Sequence, residues 1–198
     1  MFKLTNNNLS TKIINQYRTD RAYGCYTRNC LELEIWPAVA ASVKYVVFAD
    51  LDQIHKANER YGYASVDKRI RTAINTGREM DIAVARWYSG DELVFIVPEG
   101  PRSGNPIAFC ERIQSRLQKQ GLSATFGVVE IRGYETKNPK RAVNRAARLV
   151  QKAKKNGLRA SIQAEKRLNP ASTPTTIQPV SLSILLGRLA AFLTALIY

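Results

Sequence analysis

Two apolar runs, each joined at one end to carboxylates, constrain this chain more than any other feature. One is Tyr45-Val46-Val47-Phe48-Ala49-Asp50-Leu51-Asp52, and the other is Leu93 to Val97, preceded by Tyr88-Ser89-Gly90-Asp91-Glu92. Runs of Val, Ile and Phe bounded by polar turn residues read as buried strands. Ala83 to Trp87 and Leu93 to Val97 flank Ser89-Gly90-Asp91-Glu92, so they are expected to pair as a hairpin whose turn presents Asp91 and Glu92. If the strand ending at Asp50 lies beside that hairpin, the carboxylates converge at the rim of a sheet. Convergent like charges are costly unless a divalent cation neutralises them, and an oxygen-rich set of this kind suits Mg2+ with phosphate as the remaining ligand. The residues therefore point to Mg2+-dependent nucleotide chemistry.

Helical patterns surround these strands. Leu9 to Arg18 reads as a first helix, and Arg28 to Val39 as a second that is interrupted at Pro37. A strand is expected from Lys44 to Ala49. Asp52 to Arg60 and Ser65 to Thr76 have helical composition, and Tyr61-Gly62-Tyr63 marks the break between them. Ile107 to Gln120 is amphipathic with Ile107, Cys110, Ile113 and Leu117 inward, and Ser123 to Ile131 reads as a strand. A basic helix then closes the domain. Helices between strands, combined with a tight hairpin, predict a mixed sheet with helices on its faces rather than an all-parallel sheet.

A chain of 198 residues with 45% hydrophobic and 23% charged content can bury one good core. The expected division is a globular domain over residues 1–164, a Pro/Ser/Thr-rich linker over 165–180 and an apolar helix over 181–198. That last segment would span roughly 27 Å at about 1.5 Å per residue, and Arg188 offsets much of its apolar character. It could tether the chain to the inner face of a membrane, or pack on its own domain or on a partner. Cys25, Cys30 and Cys110 are odd in number and lack CxxC spacing, and His55 is the single histidine, so a zinc cluster is not expected. The polar start of the chain lacks a signal-peptide core, and a cytoplasmic location is expected.

The net charge of +14 favours anionic partners without choosing among them. Between Lys137 and Arg159 there is no acid, and Arg141, Arg145, Arg148, Lys152 and Lys155 fall on one helical stripe opposite Ala146, Leu149, Val150 and Ala153. No aromatic stacking platform accompanies the stripe, so nucleic acid is not the expected partner. Only Lys154, near the helix end, invites a specific role.

The ordered set Asp50-Leu51-Asp52, Asn58, Tyr61-Gly62, Asp67 and Ser89-Gly90-Asp91-Glu92-Leu93 resembles the GGDEF domains of diguanylate cyclases. Weaker echoes run from Asp20-Arg21-Ala22-Tyr23-Gly24, through Ala124-Thr125-Phe126-Gly127, to Ala153-Lys154-Lys155-Asn156-Gly157. The resemblance implies an α+β, ferredoxin-like palm domain with a central mixed or antiparallel sheet flanked by helices. It implies condensation of two GTP into cyclic di-GMP, or a related cyclic dinucleotide, by a homodimer with Mg2+ (or Mn2+). By the same resemblance Asp50, Leu51, Asp91 and Glu92 would form the metal site, with Asp91 and Glu92 catalytic. Asn58 and Asp67 match the positions that read guanine, Lys154 matches a phosphate-contacting lysine, and His55 with Lys56 stands where the family has a lysine. Arg78-Glu79-Met80-Asp81 resembles the RxxD product-inhibition motif, giving Arg78 and Asp81 as an inhibitory site, although it lies two residues farther from the signature than usual. Other departures are Ser89 for the first glycine, Leu93 for phenylalanine, Tyr63 for histidine, Val66 for the glycine before Asp67, and Arg86 and Arg159 each one residue out of place. These departures leave open a degenerate domain that binds nucleotide without turnover. The small size also leaves open a relative of minimal CRISPR polymerases that makes another cyclic nucleotide.

Overall fold

The computed structural model describes residues 17–99, 104–165 and 168. Its centre is β1, Val43–Leu51, which pairs antiparallel with β3, Glu92–Pro98, on one side and with β4, Ala124–Glu130, on the other. β2, Ala83–Arg86, lies antiparallel outside β3, and β5, Ile162–Ala164, lies parallel outside β4, so the sheet order is β2-β3-β1-β4-β5. β1 and β2 thus run the same way with β3 between them, as β3 and β4 do with β1 between them. These are two interleaved split β-α-β units, the ferredoxin-like arrangement, and β5 extends it. The expected mixed sheet is present; β5 was not foreseen.

The helices are α1, running through Arg28–Cys30, Leu31–Ile35 and Trp36–Val39; α2, Ile54–Tyr61; α3, Tyr63–Arg78; α4, Pro106–Gln118; and α5, Pro139–Lys155. Pro37 does not interrupt α1. The middle of that helix widens to π-helical bonding, with the Trp36 N–H donating to the Leu31 carbonyl. The wider turn absorbs the ring that would clash with an ordinary one. Gly62, at φ 76°, makes the expected break between α2 and α3. Of the first helix read in the sequence, residues 9–16 lie outside the described residues, as do the apolar segment 181–198 and most of the linker before it. Among the described residues no helix is long and apolar enough to cross a membrane.

Strand alternation builds two cores. Val47, Ala49, Leu51, Leu93 and Phe95 face α3 and α4 through Ile70, Ile74, Phe109 and Ile113. Val46, Phe48, Val94 and Ile96 face α1 and α5 through Leu31, Trp36, Val143, Ala146 and Val150. α5 approaches β4 so closely that a Cβ on Gly127 would lie 2.1 Å from the Ala146 carbonyl oxygen.

Candidate active site

The same alternation decides where the acidic residues go. β1 continues beyond the expected Ala49 to Leu51, so Asp50, two residues after Phe48, points to the α5 side of the sheet end. Lys154 follows Ala146 and Val150 at helical steps of four along α5 and comes over that sheet end. Its ammonium lies 2.5 Å from Asp50 Oδ1, 3.4 Å from Asp52 Oδ1 and 3.5 Å from the Leu51 carbonyl oxygen. Burial pushes the Asp50 carboxyl above its ordinary value; Lys154 opposes the shift, and Asp91 and Glu92 add to it.

Glu92 is the first residue of β3, directly opposite Asp50, and not part of the turn as the sequence suggested. Its Oε2 accepts the Tyr88 and Ser89 amides at 3.2 and 3.3 Å. Asp91 alone is presented by the turn. Its Oδ1 takes the Ser89 hydroxyl at 2.5 Å, and its carbonyl takes the Leu51 N–H at 2.9 Å, which ties the turn to the end of β1. Among the described residues no three His, Cys, Asp or Glu gather closely enough to hold a metal ion, because each carboxylate turns one oxygen to an internal donor. The donor chemistry still fits a hard divalent cation: three carboxylates lie on neighbouring positions of one sheet end, and the second oxygen of each has no hydrogen bond among the described residues. Asp50, Asp91, Glu92 and the Leu51 carbonyl could hold such an ion once Lys154 withdraws.

Asn58 of α2 and Asp67 of α3 line one cleft of about 440 Å³ with His55, Gly90 and Asp91. The structure therefore joins the expected base-reading residues to the acidic turn. His55 is largely exposed and lies 3.1 Å from Glu59. Lys56 points elsewhere, into a separate cavity with Arg60 and Tyr61, because adjacent helical positions do not share a face. Arg78 and Asp81 line a third cavity, of about 470 Å³, beside β2. There the Arg78 guanidinium donates to the Gly24 carbonyl at 2.5 Å.

Sequence reasoning missed the supports of the signature turn. Tyr23 donates its hydroxyl to the Gly90 carbonyl at 2.7 Å. Burial, then the nearby Asp67, push the Tyr23 phenol up to about 12, which keeps it a donor. Asp20 binds Arg86 at 2.9 Å, and Arg86 reaches the Ser89 carbonyl at 3.3 Å. Arg86 thus serves the turn. Arg28 adds a further tie by lying 3.9 Å over the Tyr88 ring and 4.7 Å over Trp87. On the outer stripe of α5, Arg145 is not a solvated cation: it pairs with buried Glu135 and with Glu165.

Asp52 is also structural. Buried, it accepts from the Ser123 and Thr125 hydroxyls at 3.0 and 2.9 Å and from the Ala160 amide at 2.9 Å. Ala160 adopts φ 49° to make that bond. Left-handed backbone costs a Cβ-bearing residue about 1–2 kcal/mol, against about 0.4–1 kcal/mol for the extra unfolded freedom of glycine. Ala160→Gly is therefore expected to raise stability by about 0.5–1 kcal/mol, read as a higher urea midpoint.

The family described as diguanylate cyclase, GGDEF domain, matches residues 19–160. Solved structures agree on the fold. The coiled coil and GGDEF domain of DgcB from Caulobacter crescentus, solved with c-di-GMP, superposes with TM-score 0.65 at 18% identity, covering 80% of this chain and 91% of that one. The diguanylate cyclase SiaD from Pseudomonas aeruginosa, solved with its activator SiaC, gives TM-score 0.58 at 19% identity, covering 80% and 66%. The GGDEF domain of YfiN, also from Pseudomonas aeruginosa, gives 0.56 at 21% identity, covering 72% and 97%. No curated protein matches the chain.

Proposed function

The chain belongs to the GGDEF domain family, and on that premise we propose that it binds GTP and, as a pair of facing copies, condenses two GTP into cyclic di-GMP. The observation that carries this reading is the single cleft holding Asn58 and Asp67 beside Asp91. An Asn amide and a carboxylate together satisfy the acceptor and donor edges of guanine, whereas adenine would leave the carboxylate without its N–H partners.

In each half of the reaction a ribose 3'-hydroxyl attacks the α-phosphorus of the facing nucleotide. One P–O bond forms, the bond to pyrophosphate breaks, the hydroxyl proton is lost, and two turns release two pyrophosphates. Glu92, next to Asp91 in the chain, is proposed either to complete the metal site or to accept that proton. A divalent cation held by Asp50, Asp91, Glu92 and the Leu51 carbonyl would supply charge neutralisation at the phosphates. Lys154 must exchange Asp50 for phosphate, its new anionic partner.

That exchange also motivates a second reading. Lys154 lies 2.5 Å from Asp50 and competes with a cation for that carboxylate, which favours nucleotide binding without turnover. Incubating the purified chain with each NTP and Mg2+, followed by chromatography and mass spectrometry, tests both. Cyclic di-GMP is the expected product. GTP binding without any cyclic product would favour the second reading, and a product with another base would overturn guanine selection. Asp67→Ala is expected to lower the preference for GTP over ATP by about tenfold or more, since one unpaired polar group costs about 1–3 kcal/mol. Equal losses for both nucleotides would make Asp67 merely structural.

A further inference from the structure

Tyr63 is the first residue of α3, set immediately after the Gly62 break, and its side chain is 73% exposed while lining the cleft with Asn58 and Asp67. Both faces of the Tyr63 ring are therefore open at the cleft. Three other tyrosines of the domain are engaged by cations. Tyr61 lies under Arg69 at 3.7 Å, Tyr88 carries Arg28 at 3.9 Å, and Tyr134 meets Arg132 and Arg141. The Tyr63 ring has no hydrogen bond, ring contact or cation over it among the described residues. Helical spacing puts Tyr63, Val66, Asp67 and Ile70 on one face of α3, and all of them line the cleft. That face offers a planar ring at the mouth, a carboxylate one turn deeper and an apolar floor. These are the components of a slot for a flat heterocycle with polar edges.

We infer that Tyr63 forms one wall of the base site and stacks on the face of the purine whose edge Asn58 and Asp67 read. This inference rests on the reading of the cleft as a GTP site. It assigns Tyr63 affinity rather than selectivity, because every purine has a π face whereas only guanine satisfies Asp67. Stacking of a base on an aromatic side chain is worth about 1–3 kcal/mol by alanine substitution, or about 5- to 150-fold in a dissociation constant.

The test is equilibrium binding of full-length protein to GTP whose α,β-bridging oxygen is replaced by methylene, so that turnover plays no part. Tyr63→Ala is expected to raise Kd about 5- to 150-fold for this analogue and by the same factor for the inosine analogue. Tyr63→Phe should stay within about twofold, and Tyr63→Leu should fail to restore affinity. In Tyr63→Trp, nucleotide should quench the new indole emission. If the wild type binds and Tyr63→Ala or Tyr63→Leu binds equally well, the stacking role falls while the GTP reading stands. If the wild type binds neither nucleotide, both fall together.

Discussion

Asp91→Asn and Asp50→Asn are each expected to abolish cyclic dinucleotide formation, a loss of about three orders of magnitude or more, while leaving the fold intact. Several kcal/mol of charge stabilisation at the phosphates depend on full carboxylate charge at these positions, and each 1.36 kcal/mol is about tenfold in rate. Asn keeps the size and one oxygen acceptor. For Asp50 the expectation goes further. Its carboxyl is raised above the ordinary value of 3.8 chiefly by burial, so between that value and the raised one the folded chain holds a proton that the unfolded chain has released. The stability contributed by protonated Asp50 is complete below the ordinary value and lost as pH rises through the raised one. At pH 7 the ionised side chain is a net cost, and Asp50→Asn should melt no lower than wild type there. The difference should narrow as pH falls toward 4. Undiminished turnover in both folded variants would remove the acidic site from the mechanism, and a large drop in melting temperature for Asp50→Asn would show that its pair with Lys154 is structural.

Gly127→Ala is expected to be the most destabilising single methyl in the domain. The added carbon would lie 2.1 Å from the Ala146 oxygen and 2.8 Å from its carbonyl carbon. These are helix backbone atoms, which cannot swing aside as a long side chain would. Relief requires α5 to lift from β4, which would separate Val143, Ala146 and Val150 from the sheet and carry Lys154 away from Asp50. Overpacking commonly costs about 1–3 kcal/mol and more where backbone must move, so a loss of about 3 kcal/mol or more is expected in chemical denaturation. Gly77→Ala is the natural comparison: its Cβ would meet Val84 Cγ2 at 2.6 Å, so relief there needs repacking of buried side chains rather than the lifting of a helix. Comparable stability of Gly127→Ala and wild type would mean that α5 can lift from β4 at little cost.

The strands and helices that make the fold were legible because their signals are local. Val and Ile runs marked β1 and β3, Gly62 marked the break, and Cys110, Ile113 and Leu117 marked the buried face of α4. β5 was not legible, since Ile162–Ala164 is too short to show a period and is held by pairing with β4 far back in the chain. At the site, residue types were legible and directions were not. Asp50 and Glu92 face each other only because of the β1–β3 register, and Lys56 leaves the cleft that His55 and Asn58 share because of one helical step. Tyr23, Asp20 and Arg86 drew notice only as echoes of the resemblance. Their joint support of the turn depends on contacts that no local pattern encodes.

Those contacts bear on the order in which the domain assembles. Tyr23 and Gly90 are 67 positions apart, and Asp20 and Arg86 are 66 apart. Closing such a loop in an otherwise unstructured chain costs about 4 kcal/mol of entropy, more than one hydrogen bond and one ion pair return. The segment can dock only after β1 and the hairpin have shortened that path. Its interactions therefore form on the native side of the folding barrier and govern how slowly the domain comes apart more than how fast it forms. The support of the loop that presents Asp91 is accordingly fixed after the hairpin itself and released before it, and readiness for chemistry is a late event in the life of each folded copy.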